Sequence, residues 1–182
     1  MMEQNVQHAA WLGDGAPADQ AQLRRSLGLV PTGVTVITTV APDGRRVGLT
    51  ANSFASVSMD PPLILWSLSN RSANLDLFAQ CSHFAINVLA HDQEDLCKRF
   101  ATAGIADKFA GIAGRPGMNG VPLLDGAVAQ FECSAHAQYP GGDHRIFIGR
   151  IDAHRWSNRT PLLFCQGVLM PASHEDSRQA QT

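Results

Sequence analysis

Residues 31–51 read PTGVTVITTVAPDGRRVGLTA. After Pro31 and Gly33 the run is dominated by β-branched residues through Val40, which predicts a strand. Asp43-Gly44 tolerates the positive φ of a tight turn, so VGLTA (47–51) returns as the partner strand. The same pattern of strand, short turn and strand recurs along the chain. SFASVSM (53–59) alternates small polar residues with Phe54, Val57 and Met59. Pro61 and Pro62 end it by removing backbone donors. LILWSL (63–68) is a continuous apolar run, which predicts a buried strand. HFAINVLA (83–90), AVAQFECSAHAQY (127–139), RIFIGRIDAHRW (145–156) and LLFCQGVLM (162–170) complete the set.

Short helices are predicted between these strands. DQAQLRRSLG (19–28) has Asp19 as its N-cap. SANLDLFAQ (72–80) has Ser72 as a cap and an apolar face of Leu75, Phe78 and Ala79. HDQEDLCKRFATAG (91–104) has Asp92 as a cap, Leu96 and Phe100 on one face, and Glu94 four residues before Lys98, the favoured order for an ion pair. Residues 104–126 read as a loop. The tally is six or seven strands and two or three helices. Because the strands follow one another through turns and not through helical crossovers, the expected fold is mainly β: an antiparallel sheet closed into a barrel, with helices added at its ends. The expected organisation is one domain over 19–171, flanked by polar tails at 1–18 and 172–182.

The bulk composition narrows the function. The 182-residue chain is 45% hydrophobic and 16% charged, with a net charge of −2. So small a charge makes no electrostatic case for nucleic acid or an anionic membrane. No apolar stretch reaches the ~20 residues that span a bilayer. The first residues, MMEQNVQHAAWLGDG, lack the basic and apolar regions of a secretory signal, so a cytoplasmic location is expected. Cys81, Cys97, Cys133 and Cys165 lie far apart without CxxC spacing and are expected to be reduced. No metal site is expected. The shortage of surface charge leaves room for an oligomeric interface.

Residues 49–74, LTANSFASVSMDPPLILWSLSNRSAN, hold six serines, one threonine and three asparagines, with Asp60 and Arg71 as the sole charges. Hydroxyls, amides and free N–H groups at strand ends and helix starts are the groups that hold a phosphate or a polyol. Thr50 to Ser53 end one strand, and Ser69 to Asn74 lead from another into a helix. If the two segments are neighbours they form one pocket, with Lys98 or Arg99 at hand. Taken singly, Ser72 reads as a cap and Asn52 and Ser53 as groups satisfying a strand end; the clustering points to a ligand. GDH (142–144) is the second signal. Asp143 and His144 are adjacent on a strand, so their side chains should leave opposite faces and make no pair unless the turn bends them together. The competing reading leaves Asp143 as a turn residue and His144 as an ordinary strand residue.

PTGVTVIT, GLTANSFASVSMDPPLILWSLSNRSAN, FAINVLAHDQEDLCKRFA, DKF, GDHRIFIGRI and PLLFCQG, in that order over roughly residues 20–170, resemble the flavin reductase-like family. The resemblance implies a split β-barrel of the FMN-binding type, with antiparallel Greek-key topology, acting as a homodimer. It implies reduction of FMN or FAD by NADH or NADPH, with the reduced flavin passing to a separate monooxygenase or halogenase. By the family pattern Thr50, Ala51, Asn52 and Ser53 lie along the flavin ring and its polar edge. Ser67, Leu68, Ser69, Ser72 and Ala73 hold the ribityl chain and phosphate. Asn87, Leu89, Ala90 and His91 line the other side, and Gln93, Lys98, Arg99 and Phe100 sit near the phosphate. Phe109 covers the flavin or closes the site, and His144 stands beside the nicotinamide. The rival reading is a flavin- or haem-binding barrel of the same kind that does not turn over NADH.

Overall fold

A computed structural model describes residues 19–172; the expected tails, 1–18 and all of 172–182 except Ala172, lie outside the described residues. Helix α1 (Gln20–Leu27) is capped by Asp19, whose carboxylate accepts the Gln22 N–H at 3.0 Å. Strands β1 (Thr32–Gly33), β2 (Thr35–Val40) and β3 (Arg46–Ala51) follow, with Gly44 at φ +82° in the turn between β2 and β3. Then come β4 (Ala55–Met59), β5 (Pro62–Ser69), helix α2 (Leu75–Gln80), β6 (His83–Val88) and helix α3 (Glu94–Ala101). A small hairpin of β7 (Gly114–Pro116) and β8 (Pro122–Leu124) occupies the segment expected to be a loop. The chain ends in β9 (Ala129–Gly141), β10 (His144–Trp156), β11 (Leu162–Cys165) and β12 (Val168–Pro171).

The main sheet has seven strands in the order β3-β2-β6-β9-β10-β5-β4, and each neighbouring pair is antiparallel. A second sheet, β1-β11-β12, and the β7-β8 hairpin flank it. The expected mainly β antiparallel class is therefore present. Closure is not: among the described residues no ladder joins β3 to β4, so the large sheet keeps two edges. The edge at β3 is covered by α3 instead, where the Thr50 hydroxyl donates to the Cys97 carbonyl at 2.7 Å. Covering an edge serves the same need as closing it.

Two predicted caps are corrected. Helix α2 begins after Asn74, and the Ser72 hydroxyl instead accepts the Asn74 N–H at 3.3 Å. The third helix starts with a 3₁₀ turn at His91–Gln93, and Gln93 accepts the Ala90 N–H at 3.0 Å. Asp92 is thereby freed to pair with Arg159. The expected Glu94–Lys98 pair forms, at 3.3 Å.

The core is centred on Trp66, which is fully buried. Its ring stacks on Phe147 at 4.5 Å and meets the edges of Phe78 at 5.1 Å and Phe84 at 5.8 Å. Strand β5 alternates: Ile64, Trp66 and Leu68 are buried while Leu63, Leu65, Ser67 and Ser69 are half-buried. The continuous apolar run thus serves two faces, one filling the core and one partly covered. A second cluster joins Val34, Val36, Leu89, Phe100, Phe109 and Leu162, where α3 and the smaller sheet meet.

Gly149 lies beside this core, at an irregularity in the β9–β10 register. A Cβ there would sit 2.5 Å from the Phe84 ring and 3.1 Å from Cys133 Cβ. Gly149→Ala is expected to lower stability by roughly 1–3 kcal/mol through overpacking. Urea denaturation of the two proteins checks this, and an unchanged midpoint would mean that the core has slack.

Candidate active site

Strand β5 pairs with β10 in a register that sets Ser69 opposite His144, Leu68 opposite Arg145 and Ser67 opposite Ile146. Past Ser69 the chain leaves the sheet as the loop Asn70–Asn74. That loop is tied to the β9–β10 turn: the Asn70 N–H donates to the Asp143 carbonyl at 2.9 Å, and its side-chain amide donates to the Gly142 carbonyl at 3.1 Å. Gly142, at φ +68°, supplies the bend that the turn requires. The same bend brings Asp143 and His144 together. His144 Nδ1 lies 2.7 Å from Asp143 Oδ1, so the expectation that neighbouring strand residues would point apart fails here. The imidazole beside Asp143 lowers its carboxyl pKa below the usual range. An ionised carboxylate only accepts, so Nδ1 carries the hydrogen of this contact.

On one side of the loop lies a cleft of about 550 Å³. Arg71, Ser72, Ala73 and Asn74 form one wall, Arg45 with β3 from Arg46 to Thr50 another, and the segment from Phe100 to Phe109 the third. The apolar lining includes Leu68, Leu49, Phe100 and Phe109, and the two rings pack edge to face at 5.0 Å. Gly48 makes that packing possible, since a Cβ there would come within 2.7 Å of the Phe100 ring. Four cations border the cleft. Arg46 stands 5.0 Å over the Phe109 ring and 3.9 Å from Asp107, and Arg45 lies 3.7 Å from Asp43. Lys108 donates to the Phe100 carbonyl at 2.7 Å, and burial lowers its pKa. Among the described residues Arg71 makes no ion pair. A cleft with one apolar side, hydroxyls and several cations is suited to an anion carrying a flat ring.

Of the expected site residues, Thr50, Leu68, Ser72, Ala73, Phe100 and Phe109 line this cleft. A second group lies on the other face of β5 or beside it. Ser53 clamps β5 from outside, its hydroxyl accepting the Ser67 N–H at 2.9 Å and lying 3.1 Å from the Ser67 carbonyl. Ser69 accepts the Arg71 N–H at 3.3 Å, Asn52 is exposed, and Ala51 is buried at the end of β3. His144 lines a different hollow across the loop, together with Asn70 and Arg145.

The remaining residues are occupied elsewhere. Asn87 is fully buried and donates to the Val36 carbonyl and to Thr38 Oγ1, while its oxygen accepts from Leu124 N–H at 2.9 Å and Gln130 Nε2 at 2.6 Å. Leu89 and Ala90 are fully buried. His91 is exposed and its backbone N–H donates to Thr160, while the Gln93 amide donates to the Asp125 carbonyl. Lys98 is held by Glu94, and Arg99 donates to the Ala110 carbonyl at 2.7 Å. Neither lines the cleft. Arg45, Arg46 and Lys108 are the cations that sequence reasoning missed. The signal for them was positional: two arginines follow directly on the Asp-Gly turn, and Lys108 stands inside the DKF segment. Among the described residues no group of three His, Cys, Asp or Glu side chains is arranged to hold a metal. Burial pushes the Cys133 thiol up to about 12, so it is an inert packing group.

The chain was compared with known proteins. The family described as flavin reductase like domain matches residues 27–173. The chain is 44% identical over 148 residues to the FMN reductase (NADH) SmoA of Agrobacterium fabrum, spanning 80% of this chain and 82% of that one. It is 40% identical over 149 residues to the stachydrine N-demethylase reductase subunit Stc3 of Rhizobium meliloti, spanning 82% of this chain and 64% of that longer protein. Among solved structures, the NADH:FAD oxidoreductase SgcE6 of Streptomyces globisporus C-1027, in complex with NAD and FAD fragments, superposes with a TM-score of 0.84 at 39% identity. That superposition covers 92% of this chain and 99% of the other.

Asn87→Ala is expected to lower stability by roughly 2–4 kcal/mol, because it strands the Leu124 N–H and one N–H of the Gln130 amide in the interior. Chemical denaturation measures it; a loss below ~0.5 kcal/mol would show that the network carries no structural weight.

Proposed function

The chain belongs to the flavin reductase-like family, and from that membership we infer that it reduces FMN or FAD with NADH or NADPH. The reduced flavin passes to a separate monooxygenase or halogenase component. The observation that carries this reading is the match over 27–173, which contains both the cation-rich cleft and the Asp143–His144 pair. The finer architecture in this reading is a split barrel acting as a cytoplasmic homodimer, with residues 19–171 as its domain.

The residues of the cleft fit a flavin nucleotide. Ser72 offers a hydroxyl whose proton is uncommitted, since its oxygen serves as acceptor for Asn74. With Arg71 it holds the phosphate, and Arg45 and Arg46 add positive potential around it. Phe109 and Leu68 supply the apolar side against which a ring rests, and Thr50 borders its polar edge. Leu89 packs in one cluster with Phe100 and Phe109 and supports this wall from within the core. When bound, the cofactor pair supplies the hydride chemistry, from nicotinamide C4 to flavin N5. The chain's own task is to bind and orient. The Asn70 ties to Asp143 and Gly142 hold the turn, Asp143 fixes the imidazole tautomer, and Nε2 of His144 is presented to the carboxamide of the nicotinamide.

Purified protein mixed with NADH and excess FMN or FAD is expected to consume NADH, followed at its absorbance band. No consumption with either flavin would overturn the reading in favour of a carrier. His144→Ala is expected to raise KM for NADH more than it lowers turnover. A turnover loss of ~10⁴-fold with normal NADH binding would instead mark His144 as a proton-transfer group.

A further inference from the structure

At the end of β10 away from His144 lies a third hollow of about 330 Å³, at the lower end of ligand-sized volumes. It shares no lining residue with the cation-rich cleft or with the hollow of His144. Leu124 and Gln130, each 2% exposed, lie at its base, and Trp156, 75% exposed, stands at its rim. The frame is fastened on several sides. The Gln93 amide donates to the Asp125 carbonyl at 2.8 Å, Arg159 pairs with Asp92, and the Ser157 N–H donates to the Val128 carbonyl at 2.7 Å. Gly126, at φ +77°, lets the turn close there, since a Cβ would meet Gln93 Nε2 at 3.0 Å. This frame holds Arg155 ready. Gln130 Nε2 donates to Asn87 Oδ1 at 2.6 Å and to the Leu124 carbonyl at 2.7 Å, which turns its Oε1 toward Arg155. That oxygen accepts the Arg155 Nε–H. The guanidinium is thus anchored at Nε by a buried amide, and its Nη edge remains. Among the described residues Arg155 forms no ion pair, and Asp125, the carboxylate of the lining, lies beyond ion-pair distance. A guanidinium fixed in this way is preorganised for a carboxylate.

We propose that this hollow binds a small organic acid, with its carboxylate on the Nη edge of Arg155 and its apolar body over Leu124 beside Trp156. A bare inorganic anion has the charge but leaves Leu124 and Trp156 uncovered, so the organic acid is the assigned ligand. The site stands apart from the reductase reading, since none of its residues lines the cleft or belongs to the Asp143–His144 pair. Arg155, Gln130 and Asn87 form one chain of hydrogen bonds that ends on the Val36 carbonyl and on Thr38 in β2. An acid bound to Arg155 is thereby tied to the interior of the main sheet, and by mass action it stabilises the fold.

Sodium benzoate is the probe, titrated by calorimetry into the full chain without flavin or NADH. Benzamide, of the same shape without the charge, and inorganic phosphate, a charge without the ring, are the controls. Benzoate is expected to saturate, with benzamide and phosphate binding about tenfold more weakly or not at all. Arg155→Gln is expected to weaken benzoate about tenfold, the loss of one charge-assisted contact, and Trp156→Ala weakens it in the same direction. Arg155→Gln also unpairs Gln130, so thermal unfolding of each variant is measured alongside. Should that variant not fold, the benzoate–benzamide comparison in the unsubstituted protein decides. Absence of saturation, equal binding of benzamide, or benzoate binding unchanged in both variants overturns the assignment. Phosphate binding as tightly as benzoate overturns it in favour of a bare anion site. Displacement of benzoate by FMN or NAD overturns it by placing the probe at a nucleotide site. If NADH is not oxidised by the protein, the reductase reading falls alone, and benzoate binding that is lost in Arg155→Gln still upholds this site.

Discussion

The antiparallel register between β5 and β10 is the constraint on which the site depends. It sets His144 opposite Ser69 and carries on without a break to Arg150 opposite Leu63. Side chains on a strand alternate between faces, so a slip of one residue would turn Trp66 and Leu68 outward and bring Ser67 and Ser69 into the core. Trp66, stacked on Phe147 from the paired strand, makes that slip costly. The hydroxyls therefore reach the sheet's outer face because an indole fills its inner one. The core packing and the chemistry of the rim are set by the same ladder.

The strands were legible because their signals are local. The β-branched run before Asp43-Gly44 reports its own geometry; the alternation through Ala55–Met59 marks a strand but not its buried face, since Val57 and Met59 are exposed and the β4–β5 register shifts between Ser56 and Ser58. The closure of the sheet was not legible. The β3 edge meets α3 and not β4, and nothing within either strand records that Thr50 bonds to Cys97. The caps failed for a related reason. Ser72 and Asp92 are both good capping residues, but Asn74 stands closer to α2, and Asp92 finds Arg159, 67 residues away in sequence. A long-range ion pair competes with a local hydrogen bond, and local reasoning sees one of the two.

The site was half legible. Serines and asparagines crowded into 49–74 announced a polar rim, and GDH announced a bend. The two faces of β5 were harder to read, since a continuous apolar run hides its own alternation. Asn87 shows the limit. Its amide, between two aliphatic stretches, reads equally as a ligand contact or as an internal strut, and only its four hydrogen bonds tell which. Likewise Lys98 and Arg99 had the right charge near the right place but spend it on Glu94 and on a loop carbonyl, while Arg45, Arg46 and Lys108 border the cleft.

The wall of the cleft from Ala101 to Ala110 is fastened by a few bonds at its ends. Arg99 grips the Ala110 carbonyl, Lys108 the Phe100 carbonyl, and Phe109 is the one buried side chain within it. Segments anchored by sparse, solvent-reachable bonds open far more often than the core unfolds. This side of the cleft is therefore held by two cations on backbone carbonyls and by one buried ring, where the opposite side is held by a strand ladder.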